Sequence, residues 1–128
     1  RTMNSRRSPH STPRHSMKRG EIWLVRLDPT LGAEIRKVRP AVIVSADGMG
    51  ALPLRVMVPV TTWKDRYSRA PWLVRLDPTA ENGLRQVSAA DAFQIRSVST
   101  TRFVERLGTL DVDAMQRIAD ALLLVLTD

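Results

Sequence analysis

Residues 19–45 read RGEIWLVRLDPTLGAEIRKVRPAVIVS, and the fold follows from how this stretch alternates. In residues 21–27, Trp23, Val25 and Leu27 fall on one side of an extended chain, which predicts a strand with one buried face. Asp28-Pro29-Thr30 ends it, because proline donates nothing to a ladder. Residues 31–39 read as a loop. Pro40 opens a second strand, residues 41–46 (AVIVSA), whose nearly continuous apolar character predicts burial on both faces.

The same grammar continues outward. Residues 47–50 (DGMG) form a turn, residues 54–62 (LRVMVPVTT) a third strand, residues 63–70 (WKDRYSRA) a polar basic loop and residues 72–76 a fourth strand. Glu81-Asn82-Gly83 is a turn in which Gly83 is free to take positive φ. Two or three further short strands are expected between residues 84 and 110. The last element is a helix. Asp111 caps it, Asp113 sits in its first turn, and Met115, Ile118, Leu122 and Val125 recur at helical spacing. Asp113 and Arg117 form an i,i+4 pair. Many short strands followed by one helix predict a mainly β domain, a small closed or half-closed barrel with a C-terminal helix.

The octapeptide WLVRLDPT occurs twice, at residues 23–30 and 72–79, with unrelated flanks. It does not make a repeat array. It reads as two strands ending in the same Asp-Pro turn, and nothing in the sequence explains the complete identity.

Residues 1–16 are rich in Ser, Pro and Arg without apolar periodicity, which predicts a disordered basic tail ahead of a domain spanning 17–128. The tail carries four of the twenty Lys and Arg and no acid, so the net charge of +7 leaves the domain only mildly basic. Such a balance suits an anionic partner without specifying one. No apolar run reaches the roughly 20 residues of a membrane span. The lack of cysteine excludes disulfides and thiolate metal sites and fits a reducing compartment.

The residues also restrict the chemistry. The two histidines, His10 and His15, lie in the tail, so a histidine acid–base pair and a histidine zinc site are disfavoured in the domain. No phosphate-binding Gly-rich motif or nucleophile elbow occurs. Three segments remain. Residues 32–40 (GAEIRKVRP) place three cations beside a carboxylate, with Arg39 where a loop meets a buried strand. Pro59-Val60-Thr61-Thr62 puts hydroxyls at a strand end. Residues 88–102 (SAADAFQIRSVSTTR) mix Gln94, Arg96 and Arg102 with small polar residues able to meet RNA bases. Taken singly, each suits a solvated loop or an ordinary strand equally well.

Taken in order, these segments resemble the MazF/PemK toxin family: the Arg-Gly-Glu entry, the Leu-Asp-Pro turn, the Gly-x-Glu loop, Arg-Pro leading into a buried strand, VPVTT, and the run from Gly83-Leu84 through Ser88, Gln94-Ile95-Arg96, Arg102 and Gly108 to the helix. The resemblance runs from about Lys18 to the C-terminus. It implies an SH3-like barrel of the CcdB/MazF kind, a cytoplasmic homodimer, and sequence-specific, metal-independent cleavage of single-stranded RNA to 2′,3′-cyclic phosphate and 5′-OH ends, with no cofactor. An acidic MazE-like antitoxin peptide is the implied partner. Arg39 and Thr61 are the implied catalytic pair, with Glu34 as the candidate base. Thr30, Gly32, Arg36, Lys37, Thr62, Ser88, Gln94 and Arg96 are the implied RNA contacts. Ile35-Arg36-Lys37 stands where many members carry Gln and Gly, so base preference does not transfer. Two other readings use the same barrel: a noncatalytic nucleic-acid binder, and a gyrase-poisoning toxin. The second is disfavoured because the chain ends LVLTD, without the C-terminal aromatic which that activity needs.

Overall fold

The computed structural model describes residues 16–27 and 38–128. The expected tail and the loop with Thr30, Gly32, Glu34, Arg36 and Lys37 lie outside the described residues. Seven antiparallel strands form one strongly bent sheet: β1 (Glu21–Val25), β2 (Arg39–Ile43), β3 (Leu54–Thr62), β4 (Leu73–Leu76), β5 (Ser88–Asp91), β6 (Arg96–Ser99) and β7 (Phe103–Thr109). The helix α1 (Val112–Leu126) follows. The strand order is β4-β5-β3-β2-β1-β7, with β6 paired to β3 off this path.

β3 organises the sheet because it is long enough to change partners. Its first half pairs with β6 (Met57 opposite Arg96) and its second half with β5 (Val60 opposite Ala90). The short 3-10 turn Ala92–Gln94 occupies the gap between them. Pro59 falls in the stretch between these two pairings, opposite Ala41 of β2. A residue without an N–H is least costly where a ladder is already interrupted.

The ladder does not close into a full barrel, since β4 and β7 end the path unpaired with each other. The half-closed alternative describes the molecule. The turn after β4 bridges the opening instead: Thr109 donates its N–H to Glu81 O (2.8 Å). Two glycines permit this approach. A Cβ on Gly83 (φ +70°) would strike the Leu107 carbonyl, and one on Gly108 would strike the Glu81 and Asn82 backbone. Asn82 fixes the turn, accepting the Thr79 and Leu84 N–H groups (3.0 and 2.9 Å) and donating to Asp77 O (2.9 Å).

Strand alternation sorts the apolar residues into two cores. Ile22, Val42, Val58, Val60, Val74 and Leu76 face α1, which answers with Ala114, Ile118 and Ala121. The expected Met115-Ile118-Leu122-Val125 stripe packs on the sheet, with Ile118 at its centre and the seam's deepest positions shared with Ala114 and Ala121. The small alanines face inward, while Met115, Leu122 and Val125 flank them half-buried. Asp111 caps the helix by accepting the Ala114 N–H (2.8 Å), and Arg117 pairs with Asp113 (3.2 Å) as the sequence suggests. On the opposite face, Met17, Trp23, Val25, Ala41, Ile43, Met57, Val98 and Phe103 form the second core. Among the described residues, no helix is long and apolar enough to cross a membrane.

The two WLVRLDPT copies meet different fates. The first supplies β1, paired on both edges, and buries Trp23 to 4% exposure. The second supplies the edge strand β4 and leaves Trp72 36% exposed. The rest of the octapeptide keeps its pattern in both places, with Leu24 and Leu73 half-buried, Val25 and Val74 buried and Arg26 and Arg75 exposed, so position in the sheet changes the fate of the tryptophan above all.

Candidate nucleic-acid interface

Residues directly opposite on antiparallel strands carry their side chains on the same face. Val25 lies opposite Arg39, and Ala41 opposite Pro59. Continuing the β2–β3 register by two residues puts Arg39 level with Thr61. Thr61 in turn lies opposite Ala89, and Ala89 opposite Arg75. A row therefore crosses the sheet on the second-core face: Val25, Arg39, Thr61, Ala89, Arg75. Buried Val25 and Ala89 hold the backbone, while Arg39, Thr61 and Arg75 are exposed.

Arg39 is held at its base by the strand. Pro40, which follows it, fixes φ and favours an extended Arg39. Among the described residues, neither the Arg39 guanidinium nor the Thr61 hydroxyl has a side-chain hydrogen-bond or ion-pair partner. A forked, permanently charged donor and a hydroxyl thus stand at the same end of adjacent strands, both able to meet phosphate oxygens.

The other sequence-predicted contacts separate by face. Thr62 follows Thr61 and so turns to the opposite side, where its Oγ1 accepts from Gln86 Nε2 (2.8 Å). Ser88, opposite Thr62, is buried and donates to Gln86 O (2.8 Å). Arg96 shares the Arg39–Thr61 face but lies opposite Met57, four residues and about 13 Å along β3 from Thr61. Gln94 is exposed in the turn between β5 and β6. The structure therefore brings Arg39 and Thr61 to one edge of one surface, with Gln94 and Arg96 further along it.

Sequence reading passed over several residues that shape this end. Arg75 stands in the same row. Asp91, two residues beyond Ala89, shares the face, and its Oδ1 accepts the Phe93 N–H (3.1 Å). The Arg-Gly-Glu entry is structural. Glu21 Oε1 accepts the Lys18 N–H (3.0 Å) and the Trp23 indole (2.9 Å), while Oε2 pairs with Arg106 (3.3 Å). Arg19 binds Asp47 and the Val44 carbonyl. Arg55, 4% exposed, donates to the carbonyls of Met17, Gly50, Leu52 and Leu54 and so ties the loop before β3 to the chain entry. The signal for Glu21 is a charge inside an otherwise apolar strand. Arg55 offered none, since its burial depends on the loop wrapped around it.

Comparison with known proteins identifies the family of the fold. Residues 18–126 match the family model described as PemK-like, MazF-like toxin of type II toxin-antitoxin system. The chain is 38% identical over 112 residues to Endoribonuclease MazF9 of Mycobacterium tuberculosis, covering 83% of this chain and 92% of that one. A shorter segment of 47 residues is 51% identical to Endoribonuclease PemK of Escherichia coli, covering 36% and 35% of the two chains. The fold superposes on a mycobacterial endoribonuclease solved in complex with its cognate antitoxin (TM-score 0.68, 22% identity, 85% of this chain and 93% of that one). It also superposes on a MazE-MazF structure from Deinococcus radiodurans (TM-score 0.67, 25% identity, 85% and 94%). With the match spanning nearly the whole described domain, the chain belongs to the PemK-like, MazF-like toxin family of type II toxin–antitoxin systems.

Proposed function

We propose that this chain is the toxin of its pair, a cytoplasmic endoribonuclease that cleaves single-stranded RNA without a metal. The observation that carries the reading is the pairing of an exposed, unpartnered Arg39 with an exposed, unpartnered Thr61 at neighbouring strand ends, among the described residues. The names of the related endoribonucleases support it.

In the reaction, the ribose 2′-oxygen attacks the adjacent phosphorus. The bond from phosphorus to the 5′-oxygen breaks, leaving a 2′,3′-cyclic phosphate and a 5′-OH. Negative charge gathers on the nonbridging oxygens, and Arg39 meets it with two N–H groups that need no reorganisation. Thr61 holds the scissile phosphate by a hydrogen bond. The 2′-OH proton passes to a carboxylate, for which Glu34 is proposed, and the leaving 5′-oxygen takes a proton from solvent water, whose hydroxide is neutralised by the proton that the carboxylate releases. Arginine, with a pKa above about 12, acts here as a charge rather than as a base. Thr30, Gly32, Arg36 and Lys37 are proposed to grip the strand, with Gln94 and Arg96 reading bases further along. The activity is proposed to reside in residues 17–128, with 1–16 dispensable.

An acidic antitoxin segment is proposed to occupy the same face, its carboxylates standing in for phosphates. The related toxins solved with antitoxins support that partner. A homodimer is proposed as the working unit. Leu123, Leu124 and Leu126 near the end of α1 are more than half exposed and offer apolar surface for it.

The test is to incubate the chain with a long single-stranded RNA in EDTA and sequence the new 5′ ends. Defined cuts bearing 5′-OH groups, abolished by a 2′-deoxy sugar at the cut site, are expected. An intact RNA, or cutting of the 2′-deoxy substrate, would overturn the proposal.

A further inference from the structure

The basic segment after Thr62 plays no part in the chemistry above, yet it gathers aromatic rings and cations beside the catalytic pair. Trp63 donates its backbone N–H to Val87 O (3.0 Å), which extends the β3–β5 register by one pair. Strand alternation therefore returns Trp63 to the face of Arg39 and Thr61, about 7 Å beyond Thr61. Its ring meets Tyr67 edge-on (centroids 5.8 Å apart, 89° between planes). The Arg75 guanidinium lies over the Trp63 ring at 5.7 Å, and the Arg66 guanidinium over Tyr67 at 5.4 Å. Lys64 and Arg69 are exposed alongside.

This arrangement is not a piece of core. Trp23 spends its ring in the second core and its indole N–H on Glu21. Trp63 belongs to neither core cluster and is only partly covered. Arg75, which also pairs with Asp77 (3.1 Å), lies over its ring and Tyr67 meets its edge, with Arg66 one ring further on over Tyr67. We propose that Trp63, braced by Tyr67 and Arg75, is the stacking platform for a base next to the scissile phosphate of single-stranded RNA; this rests on the nuclease reading above. The surrounding cations favour a polyanion, and the ring favours one that carries flat bases. Every base has a π-face, so the platform adds affinity and fixes register while leaving sequence choice to polar side chains elsewhere.

The test uses the full chain and a fluorescent 2′-O-methyl RNA oligonucleotide, which offers no 2′-OH nucleophile, with binding read by anisotropy. Trp63→Ala is expected to weaken binding about 10- to 100-fold, and Trp63→Phe, which keeps a ring, by about 3-fold or less. Moving an abasic site along the oligonucleotide provides a second reading on the unmutated protein. One position should cost it a similar factor and cost Trp63→Ala almost nothing. Equal abasic effects at every position, or Trp63→Ala binding within about twofold of the parent, would overturn the platform. So would an equal loss of an oligo-glutamate peptide, since that would mark a surface for acidic peptide. Cleavage of unmodified RNA by the parent is scored separately. Cleavage without an abasic hot position refutes the platform alone, and a hot position without cleavage refutes the nuclease reading alone. A parent that binds no RNA refutes both.

Discussion

Replacing Gly83 with alanine should open the molecule where its sheet fails to close. Gly83 sits at φ +70°, and an added Cβ would run into the backbone carbonyl of Leu107. The left-handed conformation costs a non-glycine residue about 1–2 kcal/mol. Displacing a packed backbone costs about 1–3 kcal/mol more. The expected loss is thus about 2–5 kcal/mol, a large fraction of the roughly 5–15 kcal/mol that holds a domain of this size together. It corresponds to a drop in Tm on the order of 10–20 °C. Two other glycines separate these contributions. Gly20 also has positive φ (+93°), but its nearest prospective neighbour is the Met115 side chain at 3.7 Å, so Gly20→Ala should cost the conformational share alone. Gly48 has nothing within 4 Å, and Gly48→Ala should fall within about 0.5 kcal/mol of the parent. Urea unfolding followed by tryptophan fluorescence, at one fixed protein concentration, ranks the three. Gly83→Ala proving no worse than Gly20→Ala would refute the idea that the turn after β4 closes the sheet.

Glu21→Ala removes the acceptor shared by the Lys18 N–H and the Trp23 indole and leaves buried donors unpaired. It should cost about 2–4 kcal/mol in the same urea assay, with Glu21→Gln, which keeps an acceptor oxygen, costing less. Asp111→Ala removes the cap on the Ala114 N–H and should cost about 1 kcal/mol. Asp113→Ala breaks only an exposed pair with Arg117 and should change stability by less than about 0.5 kcal/mol.

Much of the fold was legible because strand alternation is local. The third strand was read at its true limits, and the AVIV run of β2 and the Trp23–Val25 face of β1 are buried as expected, while Ile22 buries the other face of β1 as well. What escaped reading depends on partners distant in sequence. The break between β5 and β6 arises where β3 changes partner along one edge, which SAADAFQIR does not advertise. The closure at Gly83 depends on Gly108, 25 residues later, and Ala114 and Ala121 share the deepest positions of the helix seam because small residues let α1 approach the sheet. The identical octapeptides show the same limit at their first residue: Trp23 is buried on a strand paired along both edges, and Trp72 is exposed beside the edge strand. At the site, residue types alone left Arg39 and Thr61 as ordinary loop and strand residues; the family resemblance implied the pair, and the strand register sets the two level on one face. The same register turns Thr62 and Ser88 to the other face and brings in Arg75 and Trp63, which the sequence offers only as members of a fourth strand and a basic loop.

The proposed cleavage depends above all on the Arg39 guanidinium meeting the charge that develops on the phosphoryl oxygens. The most direct measurement is the single-turnover cleavage rate of Arg39→Ala on a labelled single-stranded RNA in EDTA, with RNA affinity measured in parallel. The expected result is a rate about 10²–10³-fold below the parent, with binding largely retained. Cleavage at the parent rate, or a loss explained wholly by weaker binding, would contradict it.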